Sequence, residues 1–472
     1  MTKRPFVIFF GVLCALLILY LSILGSIEPS AVPQPVFLAV QESTQSTPVA
    51  KKHMSATRNF KVRPTKTDKH SQTSAETYQA STTTPPASSK RPPISRKGPE
   101  IRQVILAKVH KAASSTMQNI FLRFALSRNL SLLLPRKGTS ISEHSKYFGR
   151  ESIVPHPQGK QFYDILCSHV IFDERQLSKY FPETAVRVAI VREPLEQSLS
   201  ALKYYLTNFP TPSLNNGLNK HKEDPINGFF RNPKHFYSGW RGPSASHINN
   251  RMSVDLGFDL DAFEASKKNK TKIHAFLRQV EDQFDMVLVS DYFDESLVLM
   301  RRVLRWPMKD IIYLKVNVAK TNVNPVWRKR LILNSTLARK FREWDEIDFQ
   351  LYDHFQKVFS ETIQREPFFQ EELKAFRTIQ MDVKYFCVYE KTSDTLRIPK
   401  SDWTDEFTIS KSKCELMSLS ESSLTNLART RQLKRYEAFS RKTNKTPPAP
   451  KKRIKHSSLL AVQTVNASAV RH

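Results

Sequence analysis

Residues 104–124, VILAKVHKAASSTMQNIFLRF, constrain the fold of this chain more than any other stretch. Val104, Ile105 and Leu106 form an apolar, β-prone run that leads into a short polar turn holding Lys111, Ser114, Ser115 and Thr116. Met117, Ile120, Phe121 and Phe124 then recur with the period of a helix. A strand, a loop of small residues and a helix N-terminus together aim backbone N–H groups at one point, which suits a phosphate or a sulfate. Lys111 adds a full positive charge at the mouth of that cradle. The segment therefore predicts an anion site.

A second segment, RVAIVREPLEQSLSALKYYL at 187–206, repeats the pattern. Its β-branched strand ends at Val191, and Arg192-Glu193-Pro194 turns into a helix carrying Ser198, Ser200, Tyr204 and Tyr205. In open α/β sheets ligands collect at such strand ends. The Arg192 guanidinium can fork onto a phosphate, and Ser200, two turns into the helix, can add a hydroxyl to the same group. Lys111 and Arg192 are therefore expected to share one cavity.

Strand-like runs at Val104–Leu106, Val186–Val191, Met286–Val289 and Ile311–Leu314 alternate with helical patterns. The alternation predicts an α/β fold with a mainly parallel central sheet flanked by helices. In VSDYFDESLVLMRRVL, Asp291 is expected to cap a helix whose Leu297, Met300 and Leu304 pack inward.

Around this core the chain changes character. After MTKR come about 22 apolar residues, which at about 1.5 Å each span about 33 Å, enough to cross a bilayer. Lys3 and Arg4 precede the run, and no small-residue cleavage site follows it. A cytoplasmic tail (1–4) and an uncleaved signal anchor (5–27) are the expectation, which makes a type II membrane protein with a lumenal remainder. Residues 28–98 are rich in Ser, Thr, Pro and Lys and read as a disordered stem, 99–389 as the lumenal domain, and 390–472 as a basic, partly disordered extension. Sequons at Asn129, Asn269, Asn334, Asn444 and Asn466 all follow the anchor and mark candidate glycosylation sites. Cys14 lies in the apolar run; Cys387 and Cys414 are the easier pair to bridge, and Cys167 reads as a buried thiol.

Lys plus Arg (73) exceed Asp plus Glu (44), for a formal charge of +29. The excess points to anionic partners, but much of it lies in the flanks. No zinc spacing or RNA-binding aromatic signature accompanies it, so nucleic acid is not an expected partner. No metal-ligand motif appears, and no G-x-x-x-x-G-K-[ST] flanks Lys111, which argues against a P-loop kinase or NTPase.

These segments resemble the galactose-3-O-sulfotransferase family, which includes galactosylceramide sulfotransferase. The loop Lys108-Val109-His110-Lys111-Ala112-Ala113-Ser114-Ser115-Thr116 looks like that family's 5′-phosphosulfate loop, and Arg192-x-Pro194 with Ser200 looks like its 3′-phosphate motif. The likeness continues through Cys167-Ser168-His169, Tyr204-Tyr205, residues 287–317 and residues 342–355. It implies a P-loop-like sulfotransferase fold, 3′-phosphoadenosine 5′-phosphosulfate as co-substrate without a metal, and a galactose 3-hydroxyl on a glycolipid or glycoprotein as acceptor. It further implies a Golgi membrane location and leaves room for a homodimer.

On that reading Lys111 and residues 112–116 hold the 5′-phosphosulfate, and Arg192 and Ser200 hold the 3′-phosphate. The acceptor must lose a proton, and His169, at the end of the strand-like run YDILCSHVIF, is the favoured base. His110 is its competitor and Glu193 a weaker one. Tyr204, Tyr205, Trp240 and Arg241 are candidates to meet the sugar. Two departures stand out: Ala112 lacks the usual hydroxyl, and Ala113 stands where many sulfotransferases have Gly, so the loop is expected to keep negative φ there. An alternative follows from them, a weak or inactive Golgi-resident relative that binds nucleotide or glycan.

Overall fold

The computed structural model describes residues 97–208, 212–237, 247–258, 268–315 and 334–443. The expected anchor, the stem before residue 97, Trp240, Arg241, Asn444 and Asn466 lie outside the described residues. Among the described residues, no helix is long and apolar enough to cross a membrane.

Five parallel strands form the central sheet: β1 (Val104–Ala107), β2 (Leu132–Leu133), β3 (Ile165–Leu166), β4 (Val186–Val191) and β5 (Met286–Val289). Their order is β2-β3-β1-β4-β5, and each neighbouring pair is parallel. Every residue of β1 and β4 is buried, as expected of parallel strands covered by helices on both faces. The order places the topological switch at β1 and β4. After β1 the chain steps away to β2 and returns through β3, and β4 then joins β1 on its other side, with Ala107 paired to Ala189. Ligands of open α/β sheets bind beyond the C-terminal ends of such strands.

Helix α1 (Ser114–Ser127) follows β1 and buries Met117, Ile120, Phe121 and Phe124. Helix α2 (Pro194–Asn208) follows β4, and the short α3 (Arg251–Asp255) lies between β4 and β5 in sequence. Beyond β5 come α4 (Phe293–Leu304), α5 (Glu346–Arg365) and α6 (Phe369–Val388). Leu297, Met300 and Leu304 are fully buried, as the pattern requires.

Two expectations about the chain's elements fail in the structure. Ile311–Leu314 is no strand: a turn of helix covers Met308–Ile311, and extended chain follows. Ile311 and Ile312 are buried, but side chains take the place of a strand neighbour. Arg123 Nη2 donates to the Ile312 carbonyl at 2.6 Å, and the Gln380 amide pairs with the Tyr313 backbone. An apolar run needs burial, and either solution supplies it.

Asp291 does not cap α4. Its Oδ2 accepts the Glu193 N–H at 3.0 Å, tying the end of β5 to the turn after β4. Beyond the boundary drawn at residue 389, the chain carries further regular elements as far as residue 443. It forms an antiparallel hairpin, β6 (Thr395–Ile398) with β7 (Phe407–Ser410), and a long helix, α7 (Glu421–Thr443). Leu424 and Ala428 join the same core as β1. The Gln432 side chain pairs with both the N–H and the carbonyl of Leu132 at 2.8 Å, finishing the edge of the sheet at β2. Only a few apolar residues dock α7, which is why its basic composition hides it. The Cys387–Cys414 disulfide is present, and Cys167 is a buried thiol that burial pushes up to about 12.

Candidate active site

The loop between β1 and α1 is held in a strained conformation. Lys111 (φ 60°) and Ala113 (φ 56°) both adopt the left-handed region, so the expectation of negative φ at Ala113 is overturned. For an L-residue that conformation costs about 1–2 kcal/mol, and it persists where surrounding contacts over-determine it. Such contacts are present on all sides. The His110 N–H donates to Asp255 Oδ2 at 2.8 Å, and Gln197 Nε2 donates to the His110 carbonyl at 3.1 Å. Ser114 Oγ donates back to the Val109 carbonyl at 2.5 Å. Alanine, with only a methyl group, avoids the further crowding that a β-branched or bulky side chain would meet at this position.

Helix α1 starts without a side-chain cap, because Ala113 stands at the capping position. The positive dipole end of the helix is therefore left without a side-chain partner, while the Thr116 N–H donates to the Ala113 carbonyl at 3.0 Å. Ala112 is fully buried in the apolar core, so a hydroxyl at that position would face the core rather than the loop's open side. Thr116 is also buried.

Arg192 reaches the same place from β4, the direct neighbour of β1. Its Nη1 donates to the Lys111 carbonyl at 3.1 Å and its Nη2 to Glu196 Oε2 at 3.2 Å. The Lys111 Nζ stands 4.0 Å over the Tyr204 ring. Glu196, Ser200 and Tyr204 lie one turn apart along α2, on one stripe. Arg192 touches the first of these and Lys111 the last, so Ser200 is placed between them. Burial pushes the Lys111 ammonium down to about 8, with the Arg192 charge as the next cause. Glu193 serves the helix instead. Its Oε2 accepts the Glu196 N–H at 2.7 Å, capping α2, whose first residue is Pro194.

The two histidines stack beside the loop, with ring centroids 3.9 Å apart. His169 Nδ1 lies 2.9 Å from the Lys108 carbonyl, an acceptor only, so Nδ1 carries the proton and Nε2 the lone pair. His110 Nδ1 lies 2.8 Å from Asp255 Oδ2 and 3.2 Å from Arg251 Nε. One nitrogen cannot serve both partners. Donation to Asp255 is favoured, since a lone pair there would face a carboxylate, and the Arg251 Nη2 already pairs with Asp255 Oδ1 at 2.8 Å. Burial holds both imidazoles well below the ordinary histidine value, so both are neutral near pH 7. His169 is half-buried, and His110 is 5% exposed.

A galactose-3-O-sulfotransferase family model matches residues 65–399, well over half of the chain. This chain belongs to the galactose-3-O-sulfotransferase family. Human galactose-3-O-sulfotransferase 3 is 32% identical over 258 residues, 54% of this chain and 56% of that one. Bovine galactosylceramide sulfotransferase is 29% identical over 258 residues, 55% of this chain and 57% of its own length. Mouse galactose-3-O-sulfotransferase 2 is 28% identical over 297 residues, 61% and 71% of the two chains. The chain thus spans little more than half the length of the first of these relatives. A crystal structure of a sulfotransferase from Alicyclobacillus acidocaldarius matches 55% of this chain and 99% of its own at 12% identity, with a TM-score of 0.27, too low to bear on the fold.

Within this galactose-3-O-sulfotransferase family member, Lys111, Arg192, Ser200, Tyr204, His110 and His169 gather at one end of the sheet. Tyr205 stacks on His247 at 4.3 Å, and His247 lies 5.3 Å from His110, which links it to the same cluster. Sequence reasoning missed Asp255, Arg251, His247 and Glu421. The one local signal was the i, i+4 pairing of Arg251 with Asp255, which is common on any helix. Among the described residues, no group of three or more His, Cys, Asp or Glu side chains is placed to hold a metal ion. Asn129, Asn269 and Asn334 are exposed; the latter two cap helices, accepting the N–H groups of Lys272 and Leu337.

Proposed function

We propose that this chain transfers a sulfuryl group from 3′-phosphoadenosine 5′-phosphosulfate to the 3-hydroxyl of a galactose residue on a glycolipid or glycoprotein glycan. The observation that carries the reading is the meeting of Lys111, Arg192 and the uncapped N-terminus of α1 at the switch point of the sheet. That cradle fits a phosphosulfate. It offers a helix N-terminus without a side-chain cap and an ammonium that makes no ion pair among the described residues.

Lys111 and the backbone of residues 112–116 would hold the 5′ end of the donor. There they meet the negative charge that develops on the departing phosphate oxygen, an interaction stronger in the transition state than before it. Arg192 would hold the 3′-phosphate with Ser200 beside it. His169 would take the proton of the acceptor hydroxyl at Nε2, the nitrogen its bond to Lys108 leaves unprotonated, and it is the more accessible of the stacked pair. Asp255 fixes His110 in the matching tautomer, which keeps His110 in competition for the role. Tyr204 and Tyr205 line the acceptor side, and Trp240 and Arg241 are carried as further sugar contacts. The chemistry requires no metal.

The apolar run at 5–27 and the sequons support a single-pass type II protein of the Golgi membrane with its catalytic domain in the lumen, glycosylated at the exposed asparagines. Radiolabelled sulfate transfer to galactosylceramide and to N-acetyllactosamine, followed by linkage analysis of the product, tests the activity and separates the acceptors. Label at galactose O3 is the expected result. Nucleotide binding without transfer to either acceptor would instead mark a binding protein.

A further inference from the structure

Glu421 opens helix α7, beyond the family match that ends at residue 399, yet its side chain lies against the donor loop. Its Oε1 is 2.5 Å from the Nζ of Lys108, a side chain with no solvent exposure. Its Oε2 accepts the Ser115 hydroxyl at 2.7 Å, and Thr139 adds another hydrogen bond. Burial alone raises the Glu421 carboxyl, but the charge and hydrogen bond of Lys108, together with the hydrogen bonds of Ser115 and Thr139, more than offset it and hold it below the ordinary value. The helix behind Glu421 is fixed. Leu424 and Ala428 are buried in the core, and Gln118 Nε2 on α1 reaches Thr425 Oγ1 at 3.4 Å. A carboxylate held this firmly is part of the loop's architecture rather than a strap over it.

The contacts act on the loop in two ways. The Ser115 hydroxyl proton is committed to Glu421, so Ser115 can offer an incoming anion its backbone N–H but not its side chain. Lys108 is neutralised behind the loop, which leaves Lys111 as the loop's outward cation. We propose that Glu421 is a positioning residue of the donor site: it anchors Lys108 and Ser115 so that Lys111 and the first N–H groups of α1 face the sulfonucleotide. This role rests on the donor reading of the loop. It makes the 400–443 segment necessary for nucleotide binding, although the family match does not include it.

The test compares the wild-type chain with E421Q, E421A and the apolar pair K108M/E421L. It measures melting temperature, affinity for 3′-phosphoadenosine 5′-phosphate by calorimetry, and the donor KM against kcat. E421A should lower the melting temperature and weaken the nucleotide at least tenfold. The apolar pair removes both buried charges and should recover the melting temperature while affinity stays about tenfold weaker. E421Q keeps the shape and an acceptor for Ser115 but loses the charge, and should weaken the nucleotide about threefold to tenfold through donor KM rather than kcat. Unchanged affinity in E421Q or in the apolar pair would reduce Glu421 to a structural ion pair. Tighter binding in E421Q would make the carboxylate an internal competitor of the donor; either result overturns the proposal. A wild-type chain that binds no nucleotide overturns the donor reading itself, and this inference with it.

Discussion

The turn after β1 and the turn after β4 both carry the chain from a buried parallel strand into a helix, yet only the second closes its own helix. After β4, the Glu193 carboxylate caps the N-terminus of α2 and Pro194 occupies the first helical position. The backbone donors there are satisfied, and Arg192 contributes a side chain only. After β1, an alanine stands at the cap, two residues sit in the left-handed region, and no side chain caps the helix that starts three residues after Lys111. One turn is finished by its own sequence; on the proposed reading, the other is finished by the donor. On that reading, two neighbouring strands share the binding of one nucleotide, the first through backbone and lysine and the second by reaching in with a guanidinium.

Lys111→Ala should give the largest effect if this contrast is right. Removing the charge that meets the leaving group should lower kcat by about 10²–10³-fold. The melting temperature should stay near wild type, since Lys111 is not part of the core. Normal turnover would take Lys111 out of the mechanism.

His169→Ala should cost about 10²-fold or more in kcat while 3′-phosphoadenosine 5′-phosphate still binds within about threefold. If His110→Ala shows that pattern and His169→Ala does not, the base is His110, held by Asp255. Arg192→Ala should act on binding instead, raising the donor KM about tenfold to a hundredfold, as loss of a charge-assisted contact predicts. An unchanged donor KM would leave Arg192 as a brace for the Lys111 carbonyl.

The pH dependence separates the turns again. The first turn carries a group whose protonation changes near neutrality: Lys111 titrates near 8 in the free protein. Nucleotide affinity should be flat below that pH and fall as Lys111 loses its proton above it, by up to about tenfold per pH unit. Lys111→Arg should move that fall to higher pH, and a profile unaffected by the substitution would assign it to another group. The sign for stability is opposite. Between about pH 8 and the ordinary lysine value the unfolded chain binds more protons at this site, so its contribution to stability grows with pH there.

The smallest expected effects compare the backbones directly. Ala113→Gly relieves a left-handed alanine but adds unfolded-state entropy, for a net stabilisation of about 0.5 kcal/mol. Glu193→Ala removes a cap and should destabilise by about 1 kcal/mol. Denaturant unfolding of the two variants checks both signs, and a destabilised A113G would contradict the strain assigned to the β1 loop.

What the sequence reveals follows the same division between local and distant causes. β1, β4 and β5 are legible because each holds four consecutive apolar residues, which mark a buried strand. Two-residue strands such as β2 carry no period, and Ile311–Leu314 looks like a strand because burial alone shaped its composition. Lys111 and Arg192 stand out since their turns are local in sequence. Asp255 and Glu421 do not, because they arrive from 145 and 306 residues away from the loop atoms they hold. Nothing in their own surroundings advertises those contacts, and only the packing of α3 and α7 creates them.

The central claim is that the two turns grip one nucleotide together. Calorimetric titration of the full chain with 3′-phosphoadenosine 5′-phosphate, alongside the double variant Lys111→Ala/Arg192→Ala, tests it most directly. The account predicts saturable one-to-one binding by the wild-type chain and none detectable in the double variant, with both proteins melting at similar temperatures. Equal binding by the two would contradict it.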